Sequence, residues 1–362
     1  MKSRKFAARA AMREKIPVNH SERNLLAAPP VAVTQPASTT HKVRELRPSQ
    51  PSAVSPWLNP TQLERPAFLL NFPFSYATGA ANNPWMQDLP ADRRQPDFKR
   101  AAVQFLELYR SLSAEGLVYL LPTPRGTNLQ DLVYTANLGI VLEHLPDKNT
   151  VVISNFASPP RVGESAVGIK FFEDLGYDVH VPPAKFEGEA ELKHLYDDVY
   201  IGGYGIRSEI EAYDWMERTF DMRIIPVRLV DPYLYHLDCL VFPITSENTL
   251  VGTTLLDKKE VAALEKVTNI ISVSEDECYS GICNSVRMPS TVLNSSHLHD
   301  LKAGTEDYKC ELQKNRKLED IAADLALEVC YFNLSEFHKS GALLSCMVMH
   351  LNRRSYKIAL TA

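Results

Sequence analysis

From about residue 66 the chain alternates short apolar runs with stretches in which apolar positions recur every three or four residues. The short runs predict strands at 67–72, 117–121, 132–134, 138–142, 151–154, 179–181 and 198–201. Further strands are predicted at 224–229, 239–244, 249–253, 269–273, 329–333 and 343–351. Helical spacing marks 97–112, where Ala101, Ala102, Phe105, Leu106 and Tyr109 share one face. It also marks 166–175, closed by Gly176, then 208–219, 258–267 and 318–327. Strands well outnumber helices, and several follow one another directly while others are separated by one helix. That order predicts repeated ββαβ-type units rather than a doubly wound sheet. The polar stretch 294–315, rich in Ser, His, Asp and Lys, predicts a flexible insertion.

Charge divides the chain. Residues 1–60 carry ten Lys or Arg against three Glu, a net of +7, within a total of −5 for all 362 residues. The same segment holds eight of the 24 prolines and no glycine. Such a composition cannot bury enough apolar surface to offset the entropy of ordering it. The expected organisation is therefore a basic, Pro-rich, disordered arm at 1–62 and one large domain at 63–362. The first sixteen residues suit a short basic helix or a transit peptide. The acidic balance of the remainder argues against a nucleic-acid-binding face. No apolar run is long enough to span a bilayer.

The six cysteines, Cys239, Cys278, Cys283, Cys310, Cys330 and Cys346, are scattered. None forms a C-x-x-C pair or a zinc-like set with histidine, so no metal and no cofactor is expected. Sparse cysteines point to a reducing compartment, the cytoplasm, or the mitochondrion if the arm is a targeting segment.

Five motifs stand out: N-P-W-M at 83–86, Q-D-L-V-Y-T-A-N at 130–137, K-F-E-G-E-A-E at 185–191, Y-H-L-D at 235–238 and L-S-C-M at 344–347. Read singly, each is ordinary. Cys346 reads as a small buried hydrophobe on a C-terminal strand. His236 reads as a structural histidine with Asp238 on the same strand face. Glu187 is a loop carboxylate before a turn glycine, and Asn83 and Asn137 are turn or capping residues.

Together and in this order the motifs resemble the guanidino-group-modifying enzymes: arginine deiminases, dimethylarginine hydrolases, arginine dihydrolases and amidinotransferases. The resemblance covers about residues 66–362. It implies a fivefold pseudosymmetric α/β propeller, the pentein fold. It also implies an active site of Cys346, His236 and Glu187, with Asp131 and Asp238 binding the substrate. Asn83, Asn137, Arg207, Glu191 and Asn284 are further expected substrate contacts. The deiminase pattern Glu-Gly-Gly-Asp is replaced by Glu187-Gly-Glu-Ala-Glu191, longer by one residue. The glycine pair common before the cysteine is replaced by Ser340-Gly-Ala-Leu-Leu-Ser345.

The residue types suit that chemistry. A guanidinium carbon resists attack by water, and a thiolate is the strongest nucleophile among side chains. Carboxylates clamp a planar cation through bidentate hydrogen bonds. An imidazole that changes charge near neutrality can protonate the leaving nitrogen and then activate water. The expected function is hydrolysis of a small guanidino substrate through a thiouronium on Cys346, in the arginine dihydrolase manner giving ornithine and ammonia. An amidinotransferase uses the same residues with an amine in place of water, and a non-catalytic binding protein is the third alternative. The expected partner is that small molecule, with neither nucleic acid nor a membrane span.

Overall fold

The computed structural model describes residues 59–356. The arm expected at 1–62 lies outside them except for its last four residues, and so does the basic helix expected at the N-terminus. Those four residues belong to the body. Asn59 caps the turn Pro60–Gln62, and buried Thr61 donates its hydroxyl to Leu351 O at 2.7 Å.

Five three-stranded sheets repeat one connection. The first unit contains β1 (Ala67–Leu70), α1 (Phe98–Glu115) and β2 (Leu117–Leu120). The second is β3 (Gly139–Val141), β4 (Thr150–Ile153), α2 (Glu164–Asp174) and β5 (Asp178–His180). The third is β6 (Leu192–Tyr196), β7 (Val199–Tyr204), α3 (Ile210–Phe220) and β8 (Arg223–Arg228). The fourth is β9 (Val241–Pro243), β10 (Asn248–Val251), α4 (Lys258–Leu264) and β11 (Asn269–Ser272). The fifth is β12 (Val286–Arg287), β13 (Thr291–Ser295), α5 (Glu306–Asp324) and β14 (Glu328–Phe332). In each of the last four units the first two strands are antiparallel, and the helix crosses to a third strand parallel to the second.

The first unit lacks a strand of its own at the antiparallel position. The end of the chain supplies it: β15 (Met349–His350) pairs with β1 through Phe68↔His350 and Leu69↔Met349. This closes the ring and leaves the segment just before β15 at its centre. β1 and β4 are buried at every position, because sheets covered on both faces select continuous apolar runs. The helices cover the outside by their apolar stripes. α1, capped by Asp97, buries Ala101, Phe105, Leu108 and Leu112, each large side chain contributing about 1.5–3 kcal/mol.

Four expectations need correction. The apolar stretch 132–134 is a turn, with Tyr134 N–H bonded to Asp131 O at 3.0 Å. The run 343–351 is a one-turn helix, Ser345–Met347, followed by a two-residue strand. Its residues are buried on all sides at the ring centre, so continuous hydrophobicity there does not signal a strand. The strand expected at 239–244 begins only at Val241, after the one-turn helix Leu237–Cys239. The supposed flexible insertion at 294–315 holds the end of β13 and half of α5. α5 is hard to read from sequence because its buried face includes Asp307, Glu311, Lys314 and Asn315, which blurs the apolar period. β6, β12 and β13 are further strands that the apolar runs do not predict. No helix among the described residues is long and apolar enough to cross a membrane.

Candidate active site

The ring brings five turns to its centre, one before the inner strand of each unit. Four are one-turn helices: Thr135–Asn137, Gly188–Ala190, Leu237–Cys239 and Ser345–Met347. The fifth is closed by Asn284 N–H on Gly281 O at 3.1 Å. Each expected site residue on these turns therefore comes from a corresponding place in a different unit. Gly188 is required where it stands: its φ is +65°, and a Cβ would lie 2.6 Å from Ala136 O.

Glu187 and His236 each precede their turn and face one another. Glu187 Oε2 accepts from His236 Nε2 at 2.8 Å, and Oε1 accepts from Ala157 N–H at 3.2 Å. Burial alone would raise the Glu187 carboxyl, but the His236 hydrogen bond and the Arg207 charge outweigh it and hold it at about 2. The ionised carboxylate fixes Nε2–H as a donor and turns Nδ1 toward Asn137 Nδ2, 3.4 Å away. His236 and Asp238 thus lie on a turn and address different partners, instead of sharing a strand face.

Asp238 stands on the Cys346 side of the site. Its Oδ2 accepts from Ser345 Oγ at 2.6 Å and lies 3.7 Å from Cys346 Sγ. Asn284 Nδ2 donates to Sγ at 3.6 Å, and its Oδ1 accepts from Ser345 N–H at 2.8 Å. Burial, and then the Asp238 charge, push the Cys346 thiol up to about 12.

Asp131, Asn137, Arg161, Arg207, Tyr235, His236 and Cys346 line one cavity of about 20 Å³, the room of roughly one water. Asn82, Asn83, Arg207 and Tyr235 also line an outer vestibule of about 520 Å³. Arg207 stands between the two. It lies 4.8 Å over the Tyr235 ring, donates to Asn82 O at 2.7 Å, and sits 3.6 Å from Glu187. Burial raises the Asp131 carboxyl, while Arg161 opposes that rise. Asp131 Oδ2 accepts from Asn82 Nδ2 at 2.6 Å and Gln130 Nε2 at 3.3 Å.

Two expected substrate contacts carry structural hydrogen bonds, Asn83 while it borders both cavities. Asn83 is a helix cap: Oδ1 accepts from Met86 N–H at 3.0 Å and Nδ2 donates to Ser340 O at 2.9 Å. Glu191 is fully buried behind the site, and its Oε2 accepts from Leu237 N–H at 3.2 Å. Burial first, then the charges of Glu187 and Asp238, raise its carboxyl well above the usual 4.5. Glu191→Gln preserves a neutral side chain with an acceptor and is expected to leave melting and turnover nearly unchanged. Glu191→Ala strands the Leu237 amide and should cost about 1–3 kcal/mol in denaturant melts. Equal damage from both substitutions would refute the neutral-acid reading.

Sequence reasoning missed Asn82, Arg161, Tyr235 and Ser345. Arg161 is buried, paired with Glu164 at 2.7 Å, and packed 4.5 Å over the Phe156 ring. Nothing in S-P-P-R at 158–161 distinguishes a buried guanidinium from a surface one. Asn82, adjacent to the N-P-W-M motif, was within reach.

No family model matches the chain. It is 26% identical to the bifunctional arginine dihydrolase/ornithine cyclodeaminase AgrE of Nostoc sp. over 290 residues, 78% of this chain and 37% of the relative. Identity to the bifunctional enzyme ArgZ of Synechocystis sp. is 25% over 285 residues, 77% and 37% respectively. The match thus spans little more than a third of either relative. An N(G),N(G)-dimethylarginine dimethylaminohydrolase of Mycobacterium tuberculosis is 30% identical over 166 residues, 46% of this chain and 51% of that protein. Among solved structures, AgrE in complex with ornithine and NAD+ superposes with a TM-score of 0.69 at 26% identity, covering 81% of this chain and 40% of that one. The N-terminal domain of ArgZ bound to substrate gives 0.68 at 24%, covering 80% and 98%. A dimethylarginine dimethylaminohydrolase adduct with S-methyl-L-thiocitrulline gives 0.59 at 18%, covering 79% and 99%. With four ββαβ units and a fifth sheet completed by β15 around a ring of central turns, the chain has the pentein fold, the fold it shares with these guanidino-modifying relatives.

Proposed function

We propose that this protein hydrolyses C–N bonds of a small guanidino substrate, and that it acts as an arginine dihydrolase releasing ornithine and ammonia. The observation that carries this reading is the meeting of Cys346, His236, Asp131 and Asn137 on one cavity, with Glu187 bonded to His236 behind it. The relatives named arginine dihydrolase support the choice of substrate.

Each group has a part. Arg161 and Arg207 suit the substrate carboxylate, and Asp131 and Asp238 suit cationic nitrogen. The cavity in its present form admits about one water, so the Arg207 contact to Asn82 must part before substrate enters. Burial and the Asp238 charge hold the proton on the Cys346 sulfur; a cation seated beside Asp238 offsets that charge, and as the thiolate forms its proton passes to His236. Sγ bonds to the guanidinium carbon, and the terminal nitrogen departs as ammonia with a proton from His236. His236 then takes a proton from water, whose oxygen bonds to the same carbon as the C–S bond breaks. A second round releases the other terminal nitrogen as ammonia, and the N-carboxylated product then loses carbon dioxide to leave ornithine. The balance is arginine plus two waters to ornithine, two ammonia and carbon dioxide. Asn137, beside His236 Nδ1, is placed to hold the intermediate for that round.

The cytoplasmic location expected from the scattered cysteines, and the division into a basic arm and a catalytic body, are parts of the same proposal. The test is incubation with arginine, with and without glycine, and product identification by mass spectrometry. Ornithine and ammonia without glycine are expected. Citrulline alone would make the protein a deiminase, and guanidinoacetate formed only with glycine would make it a transferase. No turnover across a panel of guanidino compounds would overturn the enzyme reading.

A further inference from the structure

The stretch whose polarity suggested a flexible insertion begins with a side chain bonded to the turn that carries Asn284, next to Cys346. Asn294, on β13, is fully buried. Its Nδ2 donates to three acceptors of one turn: Gly281 O at 2.9 Å, Ser285 Oγ at 2.8 Å and Asn284 O at 3.4 Å. Its Oδ1 accepts from Lys314 Nζ at 3.0 Å.

Lys314, on α5, is itself completely buried. Its ammonium spends its other protons on Ser295 O at 2.7 Å and Glu311 Oε1 at 3.0 Å. An ammonium can only donate, so it dictates which way the Asn294 amide points. The flipped amide would set its NH2 against the charge and its oxygen against two carbonyls. The same logic repeats one step on. Ser345 N–H fixes Asn284 Oδ1 at 2.8 Å, and that leaves Asn284 Nδ2 toward Cys346 Sγ at 3.6 Å. Two amides in series therefore connect a buried cation on the crossover helix to the sulfur.

We propose that Asn294, oriented by Lys314, is a positioning residue for Cys346: it holds the turn that keeps the Asn284 N–H donor on Sγ. The proposal rests on Cys346 being the nucleophile. A thiolate gains from a fixed donor, whereas a neutral thiol gains little, so the arrangement favours the charged form needed for attack. The buried Lys314–Glu311 pair then has a use beyond stability, to which buried pairs contribute little net.

The experiment uses the full chain and two variants. Asn294→Asp keeps an acceptor for Lys314 but sets a carboxylate oxygen against Gly281 O and Asn284 O. Ser285→Ala removes one of the three acceptors, on the turn itself, together with that hydroxyl's own bond to Ile282 O at 3.0 Å. Three quantities are compared with wild type: thermal melting, the pH dependence of Cys346 alkylation by iodoacetamide read by peptide mass spectrometry, and kcat and KM on arginine. Asn294→Asp should remain folded, move the alkylation profile to higher pH, and lower kcat by about tenfold or more with little change in KM. Ser285→Ala should shift both readouts the same way by less. Folded variants with wild-type alkylation and kcat would overturn the proposal. If Asn294→Asp does not fold, Ser285→Ala decides by the same readouts. Shifted alkylation without arginine turnover in wild type would leave the positioning role standing and remove the dihydrolase reading. Failure of wild-type Cys346 to alkylate at any pH would overturn the positioning proposal as well.

Discussion

Cys346→Ser is expected to reduce turnover on the order of 10³-fold or more while leaving the fold intact. Serine is close in size, and the site already holds a hydroxyl beside Asp238 in Ser345, so packing changes little. The chemistry changes greatly. An alcohol loses its proton far less readily than a thiol, and the neighbouring Asp238 charge opposes an alkoxide as it opposes a thiolate. No covalent intermediate should then be detectable by intact mass after brief exposure to substrate, whereas wild type should show one. A serine variant with near-wild-type kcat would remove Cys346 from the mechanism. The unliganded thiol has a matching signature. With the group pushed up to about 12, alkylation without substrate should keep rising well into alkaline pH, with no plateau near the ordinary thiol value of about 8.5.

Glu187→Gln is the second large effect, expected to lower kcat by about 10²–10⁴-fold. The amide that replaces the carboxylate would present either its NH2 to His236 Nε2–H or a neutral oxygen. Neither holds the ring tautomer as a carboxylate does, nor compensates the charge His236 gains when it takes a proton. The pH dependence separates this role from a general loss of structure. Glu187 titrates at about 2 in the folded protein against an ordinary 4.5. A depressed carboxyl stabilises the fold fully above the unfolded value and loses that contribution as pH falls toward the folded one. The wild type should therefore lose stability between about pH 4.5 and 2 more steeply than the variant. Activity lost nearer neutrality cannot come from protonating Glu187. Acid melts monitored by circular dichroism, with kcat against pH, check both points. Identical acid transitions in the two proteins would contradict the pairing.

Some of this is legible in the chain and some is not, and the boundary follows physical causes. Amphipathic α1, the apolar run of β1 and the Val151–Ile153 run of β4 announce themselves because their burial pattern is local. The alternation of strands and helices points to the ββαβ unit for the same reason. α5 is only half visible, because a helix whose buried face carries Glu311, Lys314 and Asn315 has no clean apolar stripe. The central turns read as strands at 132–134, 239–244 and 343–351. Residues packed on every side at a ring centre are apolar without needing β geometry.

The site divides in the same way. Glu191 and Asp131 are both acids within conspicuous motifs, and nothing local separates their roles. Closure of the ring places Asp131 on the cavity and Glu191 behind it, under Leu237 N–H. Asn83 likewise becomes a cap once Pro84 begins a helix beside it.

What the chain determined alone is therefore its inventory and order: a thiol, an imidazole and carboxylates, each next to a short inner strand, in repeated units. Composition and local periodicity suffice for that, since both act within a few residues. Which of these groups meet, which are ionised and which only support others was decided by tertiary structure. β15 must pair with β1 across nearly the whole body before Cys346 reaches Asp238 and Asn284. The exclusion of water by that closure pushes Glu191 and Cys346 up, while the His236 bond and the Arg207 charge hold Glu187 down. Hydrogen-bond partners and solvation are properties of neighbours, and here the neighbours come from all five units.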